Sequence, residues 1–599
     1  MSARENLLVG RFDALHLDAS QDFARQLGEP AIRVERPGLL LDAAGPDLRV
    51  IGDARLLALV IGRPHKAPTP ESDATLLNGL RRDANACLNQ LGGRVAVVWL
   101  DLDRRELAVA SDRFNTRGLC WAREGDSLAF AIGADHVPLQ SPQIDVQALF
   151  DYLYFHVIPA PRTVFSGVSR LEPGYLLRSD AVGSRAEAWW QPRFEAIAGR
   201  SLETLKREFR DTVQGAVARE AADGEVAAFL SGGTDSSTVV GMLRQVNGGA
   251  PRGYSIGFEA EGYDEIEYAR IAAKTFGADH KEYYIRPADL VANIPLVAGF
   301  YDQPFGNSSA LPAFCLAQMA RADGYTKLLA GDGGDELYGG NTRYAKQRVF
   351  GWYEDIPSWL RRGLIEPVTG TAIAGRLPLV KKAKSYVEQA RLPLPERTEP
   401  YNLLLRLGMD EVLGPRFLAA SDVRAPMRLQ RSVWERVAAH NDLDRQLGFD
   451  WRFTLADNDL PKVVGTTSLA GMDVGFPLLD DAVVDFSLAL DPELKLRGLK
   501  LRWFFKEALR GFLPDEIITK KKHGFGLPFG HWALKDPALR ELSETSVRGL
   551  VDRGVLNPAF VDRLFREHLP AYPGYYGEMV WISMMLEQWL RARAPAWRL

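Results

Sequence analysis

From about Leu202 onward the chain alternates helical stretches with short apolar strands, and this alternation restricts the fold more than any other feature of the sequence. A helix over 202–220 leads into VAAFL (226–230), a glycine-rich turn and a helix over 236–246. GYSIGF (253–258), a helix over 264–276, KEYYI (281–285), a helix over 310–321 and KLLAG (327–331) follow. Strands separated by helices of about 10–15 residues need crossover connections, which produce a parallel sheet covered on both faces. Such sheets bind ligands beyond the carboxyl ends of their strands. From about Gly340 to Leu599 the sequence reads as mostly helical, with no repeat of fixed period.

The amino-terminal stretch follows another rule. VAVVWLDLD (ending at Asp103), RELAVASD (105–112) and SLAFAIG (127–133) are short runs of strand character with closely spaced turn residues, which predict β-rich layers. Helices are expected over Ala74–Leu91 and Val146–Phe155. Residues 159–179, rich in proline and glycine, read as closing loops, and 184–201 as a connector. A chain of 599 residues exceeds what a single core holds, so two domains are expected, over 1–195 and 202–599.

Two glycine-rich segments carry the chemistry. LSGGTDSS (230–237) lies directly between an apolar strand and a helix. Leu230 ends the strand, and Gly232 and Gly233 let the backbone approach a ligand closely. Ser231, Ser236, Ser237 and the free N–H groups of the helix start would face phosphate oxygens. Asp235 would repel a polyphosphate unless Mg²⁺ bridges them, so it is expected to be a metal ligand. GDGGDELYGG (331–340) again follows an apolar strand; Gly331 opens it and Asp335 is the expected second metal ligand. A glycine turn with a helix cap explains either segment alone, but both fall at strand ends of one sheet. Neither GxxxxGK[ST] nor a complete GxGxxG after a strand is present.

SGGTDSS is similar to the pyrophosphate-loop signature of the asparagine synthetase family, and GDGGDELYGG resembles that family's second signature. YSIGF with 263–284, and 144–174 at the end of the first domain, also resemble the family, so the likeness runs over nearly the whole chain. The resemblance implies an amino-terminal Ntn-hydrolase-like β-rich sandwich and a carboxyl-terminal parallel-sheet domain of the pyrophosphate-loop ATPase class with a helical extension. It implies ATP and Mg²⁺ as cofactors, with Ser255, Ile256 and Gly257 against the adenosine. A substrate carboxylate would attack the α-phosphorus, releasing pyrophosphate, and an amine would then displace AMP. KKKHGFGLPFGHW (520–532) resembles the family's lysine-bearing flexible loop, with Lys522 at the catalytic position. Lys520 and Lys521 read as surface, and His523 has no assigned partner. Asp332 stands where some relatives hold a catalytic glutamate and β-lactam-forming ones a tyrosine; it would assist amine deprotonation or order the loop.

The sequence departs from asparagine synthetases in two places. Their glutaminase half uses a cysteine at position 2, and here position 2 is Ser2, so glutamine hydrolysis is expected to be absent unless the recorded start hides a Met-Cys. In the acceptor region Gly475 replaces an arginine and Asn307 an aspartate, which weakens the case for a small dicarboxylate substrate. Lasso peptide cyclases and β-lactam synthetases share both departures. The threonine variant of the first loop, the missing nucleophile and the long helical carboxyl half look more like the cyclases. The expected reaction is therefore macrolactam closure of a peptide, with a leader-peptide-binding protein and a leader peptidase as partners. The alternatives are an asparagine synthetase using ammonia or glutamine, and a β-lactam synthetase-like ligase. A net charge of −4 without a basic bias gives no sign of a nucleic-acid partner. No apolar run reaches the ~18 residues of a membrane span, and no secretory signal is evident, so the cytoplasm is the expected compartment. Three scattered cysteines without CxxC argue against zinc and against a disulfide framework.

Overall fold

The computed structural model describes residues 7–14, 32–36, 38–45, 47–65, 68–222, 224–260, 262–354, 356–361, 386–520 and 526–599. A pair of six-stranded antiparallel sheets lies face to face in the amino-terminal domain. Strand alternation decides what each side chain meets. Along Arg94–Asp101, Ala96, Val98 and Leu100 point into the core between the sheets, while Val95, Val97 and Trp99 point toward a helical layer. The single helix expected over Ala74–Leu91 is instead a pair, Pro70–Arg82 and Ala84–Leu91. Asp83 ends the first and caps the second, accepting from Ala86 N–H at 3.0 Å. The segments read as loop and connector contain strands. Val168–Arg170 and Tyr175–Ser179 join the two sheets, and Ser184–Ala188 pairs antiparallel with Tyr175–Ser179.

The carboxyl-terminal domain holds a five-stranded parallel sheet: β1 (Val226–Phe229), β2 (Arg252–Phe258), β3 (Asp279–Ile285), β4 (Lys327–Leu329) and β5 (Asp473–Gly475). Their spatial order is β3-β2-β1-β4-β5, all neighbours parallel. The chain runs outward from β1 through β2 to β3, then returns to place β4 on the other side of β1. The reversal puts a crevice between the loops that follow β1 and β4. Around the sheet lie α1 (Leu202–Ala221), α2 (Thr234–Asn247), α3 (Ile266–Phe276), α4 (Pro287–Phe300) and α5 (Ala310–Ala322). Strand β5 escaped the sequence reading because three residues carry no period. The described residues after 340 are otherwise mostly helical.

The domains are joined by buried polar contacts. Asp302, just beyond α4, accepts from Arg170 Nη2 at 2.7 Å and from Ala134 N–H at 2.8 Å, both in the amino-terminal domain. The terminal helix Pro573–Arg593 is apolar around most of its circumference, as a helix surrounded by protein should be. Its Trp581 and Trp589 indoles donate to the Gly306 and Tyr301 carbonyls, and Tyr152 of the amino-terminal domain donates to its Ile582 carbonyl. No helix among the described residues is long and apolar enough to cross a membrane.

Removing one partner of a largely buried ion pair strands the other charge. Asp302→Ala is expected to lower unfolding free energy by about 3 kcal/mol, read by urea denaturation, with interdomain protection from hydrogen exchange lost first.

Candidate active site

Glycine is required where the first loop meets its neighbours. Gly232 has φ +69°, and a Cβ there would lie 2.3 Å from Ala269 N and 2.4 Å from the Tyr268 carbonyl carbon, so α3 packs directly on the loop. Ser231 N–H donates to Ser236 Oγ at 3.1 Å, and the two hydroxyls are 2.9 Å apart, closing the loop over the start of α2. Ser237 is buried with its hydroxyl unbonded. The second loop reaches the same point: a Cβ on Gly331 would come within 2.7 Å of Ser236 N and 3.0 Å of the Asp235 carbonyl carbon. The two expected phosphate loops therefore touch backbone to backbone at the crevice between β1 and β4.

This contact brings Asp235 and Asp335 to one cation. Arg502 Nη1 lies 2.6 Å from both oxygens of Asp235 and 2.9 Å from Asp335 Oδ1, and its Nη2 donates to the Thr234 hydroxyl. Burial works against the guanidinium charge, but Asp235 and Asp335 outweigh it and hold Arg502 above the usual arginine value. The carboxylates fit into places that only glycine leaves open. A Cβ on Gly334 would sit 2.4 Å from Asp235 Oδ1, and one on Gly340 would sit 1.8 Å from Asp335 Oδ1. Two facing carboxylates in a glycine cradle suit Mg²⁺, a hard cation that completes its shell with water and phosphate oxygens. Among the described residues no group of three or more acidic, His or Cys side chains could hold a metal unaided. One helical turn past Arg502, on the helix Trp503–Ala508, stands Lys506. Burial and the Arg502 charge hold its ammonium below the usual lysine value, against the opposite pull of Asp235 and Asp335. Its ammonium makes no hydrogen bond or ion pair within the described residues.

Beyond the strand ends lies a second polar cluster. Lys462 Nζ is 3.0 Å from Asp459 Oδ1 and 3.4 Å from Asp332 Oδ1. Burial raises the Asp332 carboxyl above its ordinary value, only partly offset by Lys462. Asn307 donates to Asn458 Oδ1 at 2.9 Å and accepts from Ser309 N–H at 3.0 Å.

Other expected residues are placed differently. The Ser255 hydroxyl donates to the Leu230 carbonyl and sits 2.6 Å from His280 Nε2, so only its backbone is left for an adenosine. Gly257 abuts the Tyr284 ring. A side chain at Gly475 would point at the Glu220 carboxylate, 2.5 Å from a Cβ, and at Leu329, not into the crevice. A missing arginine at that position therefore says nothing about the acceptor pocket. Lys520, expected on the surface, pairs with Glu265 at 2.9 Å and lies over the Tyr268 ring at 4.3 Å, against the helix that supports the first loop. Lys522, Lys521 and His523 lie outside the described residues. Arg502, Lys506 and Lys462 were missed by sequence reasoning. The signal was a pair of basic residues at helical spacing in RWFFK (502–506), and a lysine three residues after an aspartate in DLPK (459–462).

The asparagine synthase family model matches residues 208–591, and a glutamine amidotransferase domain model matches 64–190. Asparagine synthetase [glutamine-hydrolyzing] 1 of Bacillus subtilis (strain 168) is 25% identical over 472 residues, covering 78% of this chain and 72% of that protein. Asparagine synthetase [glutamine-hydrolyzing] 3 of the same organism is 22% identical over 486 residues, 77% of this chain and 71% of that protein. Amidase chry2 of Gibberella zeae is 27% identical over 530 residues, 79% of this chain and 74% of that protein.

Removing either acidic group is expected to cut nucleotide-dependent pyrophosphate release about 100-fold or more. Asp335→Asn should do this while the chain stays folded, read by circular dichroism, because Asp235 still pairs with Arg502. Lys506→Gln, which breaks no internal bond, should lower the rate about 10-fold. An unchanged rate in Lys506→Gln would remove that lysine from the phosphate site.

Proposed function

The chain belongs to the asparagine synthase family, and from that premise we propose that it adenylates a side-chain carboxylate of a peptide and joins it to the peptide's own amino terminus. The coarser activity belongs to the family as a whole: an ATP-dependent, amide-forming ligase. What supports the finer reading is the state of the cysteines. Glutamine hydrolysis of the kind named for the bacterial relatives needs a thiolate or an equivalent activated nucleophile. This sequence has three cysteines, all buried. Burial is the main cause that pushes the Cys87 thiol up to about 11, and the Cys120 and Cys315 thiols up to about 12. None is a thiolate at neutral pH, and Ser2 lies outside the described residues. An amine supplied by the substrate itself removes the need for an internal ammonia source.

In this reading the peptide carboxylate attacks the α-phosphorus of ATP, the bond to the β-phosphate oxygen breaks, and pyrophosphate leaves. Arg502 and Lys506, both beside Asp235, would offset the negative charge that develops there. Mg²⁺ held by Asp235 and Asp335 would supply further neutralisation of the phosphates. The terminal amine then attacks the acyl carbon and AMP departs with the electron pair of the broken C–O bond. The proton lost by the amine passes to a base. Asp332, held by Lys462 and raised toward the range of a proton acceptor, is the group positioned for it. A leader-peptide-binding protein and a leader peptidase are the proposed partners, and the cytoplasm, where ATP is abundant, the proposed compartment.

A second reading, asparagine formation from free ammonia, draws support from the compact polar cluster of Asn307, Asn458, Asp459 and Lys462, which suits a small amino acid. Pyrophosphate release with Mg-ATP distinguishes the two. Peptide-dependent release with loss of one water from a precursor peptide, seen by mass spectrometry, is the expected outcome. Asparagine formation with an inert peptide would overturn it. Iodoacetamide at pH 8 is expected to leave activity unchanged and to label the cysteines only after denaturation; rapid loss of activity would point to a reactive thiol in use.

A further inference from the structure

Between the two domains lies a cleft of about 520 Å³, separate from the site described above. Its walls carry seven Arg and Lys side chains beside six Asp and Glu side chains, an unusual density of charge for a partly enclosed space. Six of them have a carboxylate within reach. Arg49 is 2.5 Å from Asp73, Arg63 2.8 Å from Asp47, Arg113 3.0 Å from Asp481 and Arg219 2.7 Å from Asp480. Lys327 pairs with Glu220, and Arg94 lies 3.8 Å from Asp473.

Arg117 is the exception among the described residues. Its Nη2 donates to the Arg94 carbonyl at 3.2 Å, its Nε is buried without a partner, and no carboxylate lies within ion-pair distance. The nearby Asp112 cannot turn to it, because its oxygens accept from Phe114 N–H, Thr116 N–H and the Thr116 hydroxyl, the last at 2.6 Å. Asp473 exerts a pull but is shared with Arg94, whose own Nε is also buried and unbonded. Burial first, and then the charge of Arg94, work against the Arg117 guanidinium. A half-buried guanidinium beside a second one, with its Nε buried and unbonded and with Asp473, Asp112 and Asp47 nearby but none in ion-pair contact, is a costly arrangement for a protein to keep without a use.

We propose that this cleft is a binding site for a small organic anion, whose carboxylate or phosphate group is taken by Arg117 together with Arg94. The apolar wall of Phe476, Leu479 and Leu48 would take the body of the molecule. The location gives the site a route to the chemistry. Lys327 opens β4 and Asp473 opens β5 beside it, so a ligand here touches the start of the strand whose far end leads into the catalytic crevice. Arg94, Arg117 and Asp473 also line a smaller cavity of about 160 Å³ that runs on toward Asp457 and Pro461, near the Asp459–Lys462 cluster.

Titration calorimetry of the full chain tests this, with Mg²⁺ and α,β-methylene-ATP at saturation to fill the nucleotide site. Malonate and inorganic phosphate are the probes for the two head-group chemistries. At least one should bind saturably to the wild type, and Arg117→Gln should weaken it about 10-fold or more, equivalent to about 1.4 kcal/mol. Arg219→Gln, which removes a cation already paired at the cleft wall, should change affinity by less than about 3-fold. If Arg117→Gln does not fold, Arg117→Lys serves instead, with an expected loss of about 3-fold or more because the guanidinium fork is gone. No saturable binding to the wild type, binding displaced by the nucleotide analogue, or binding indifferent to Arg117 would each overturn the proposal.

Discussion

The active end of this molecule depends on one steric fact: two glycine-rich loops meet with their backbones in contact. Gly331 stands where any side chain would strike the amide of Ser236, and Gly232 where any side chain would strike α3. Without glycine at these positions the loop after β4 could not close on the start of α2. Asp235 and Asp335 would then not face one another. The sheet order supplies the coarse placement, since the reversal beside β1 sends the two loops to the same crevice. Glycine supplies the last few tenths of a nanometre.

Such close approach of carboxylates has an electrostatic cost, and the structure offsets it locally. Arg502 holds both acids at once, while Lys462 holds Asp459 and Asp332 a short way off. Each acidic pair is thus built around a cation contributed by the helical half and not by the sheet. Lys506 differs from the other two cations in having no internal partner among the described residues, and so it is the one whose charge is left for a ligand.

The legible and illegible regions of the sequence divide along the same line. The loops after β1 and β4 could be read because local pattern determines them: an apolar run, glycines, then polar residues entering a helix. Strand–helix alternation likewise disclosed four of the sheet's strands. Strand β5 has only Asp473–Gly475, and its position beside β4 depends on contacts more than 140 residues distant, for which no local pattern exists. Arg502 was hidden for the same reason, since its partners Asp235 and Asp335 come from far upstream. Gly475 shows the opposite error. Its alignment with a charged position suggested a pocket, but in a β-strand a side chain's direction alternates with each residue, and this one faces α1.

The first domain holds a complete pair of sheets, and its cysteines are buried. Both sheets, the flanking helices and the buried contact of Arg170 with Asp302 are intact, yet the cysteines sit in apolar surroundings that suppress ionisation. The rest of the molecule leans on this domain. Here Tyr152 bonds the terminal helix, Arg113 bonds Asp481 and Asp485 beyond β5, and Asp302 ties the end of α4 to the sandwich. Truncating the domain would expose the apolar terminal helix and strand several buried charges. The ligase domain is therefore bound to its neighbour by stability.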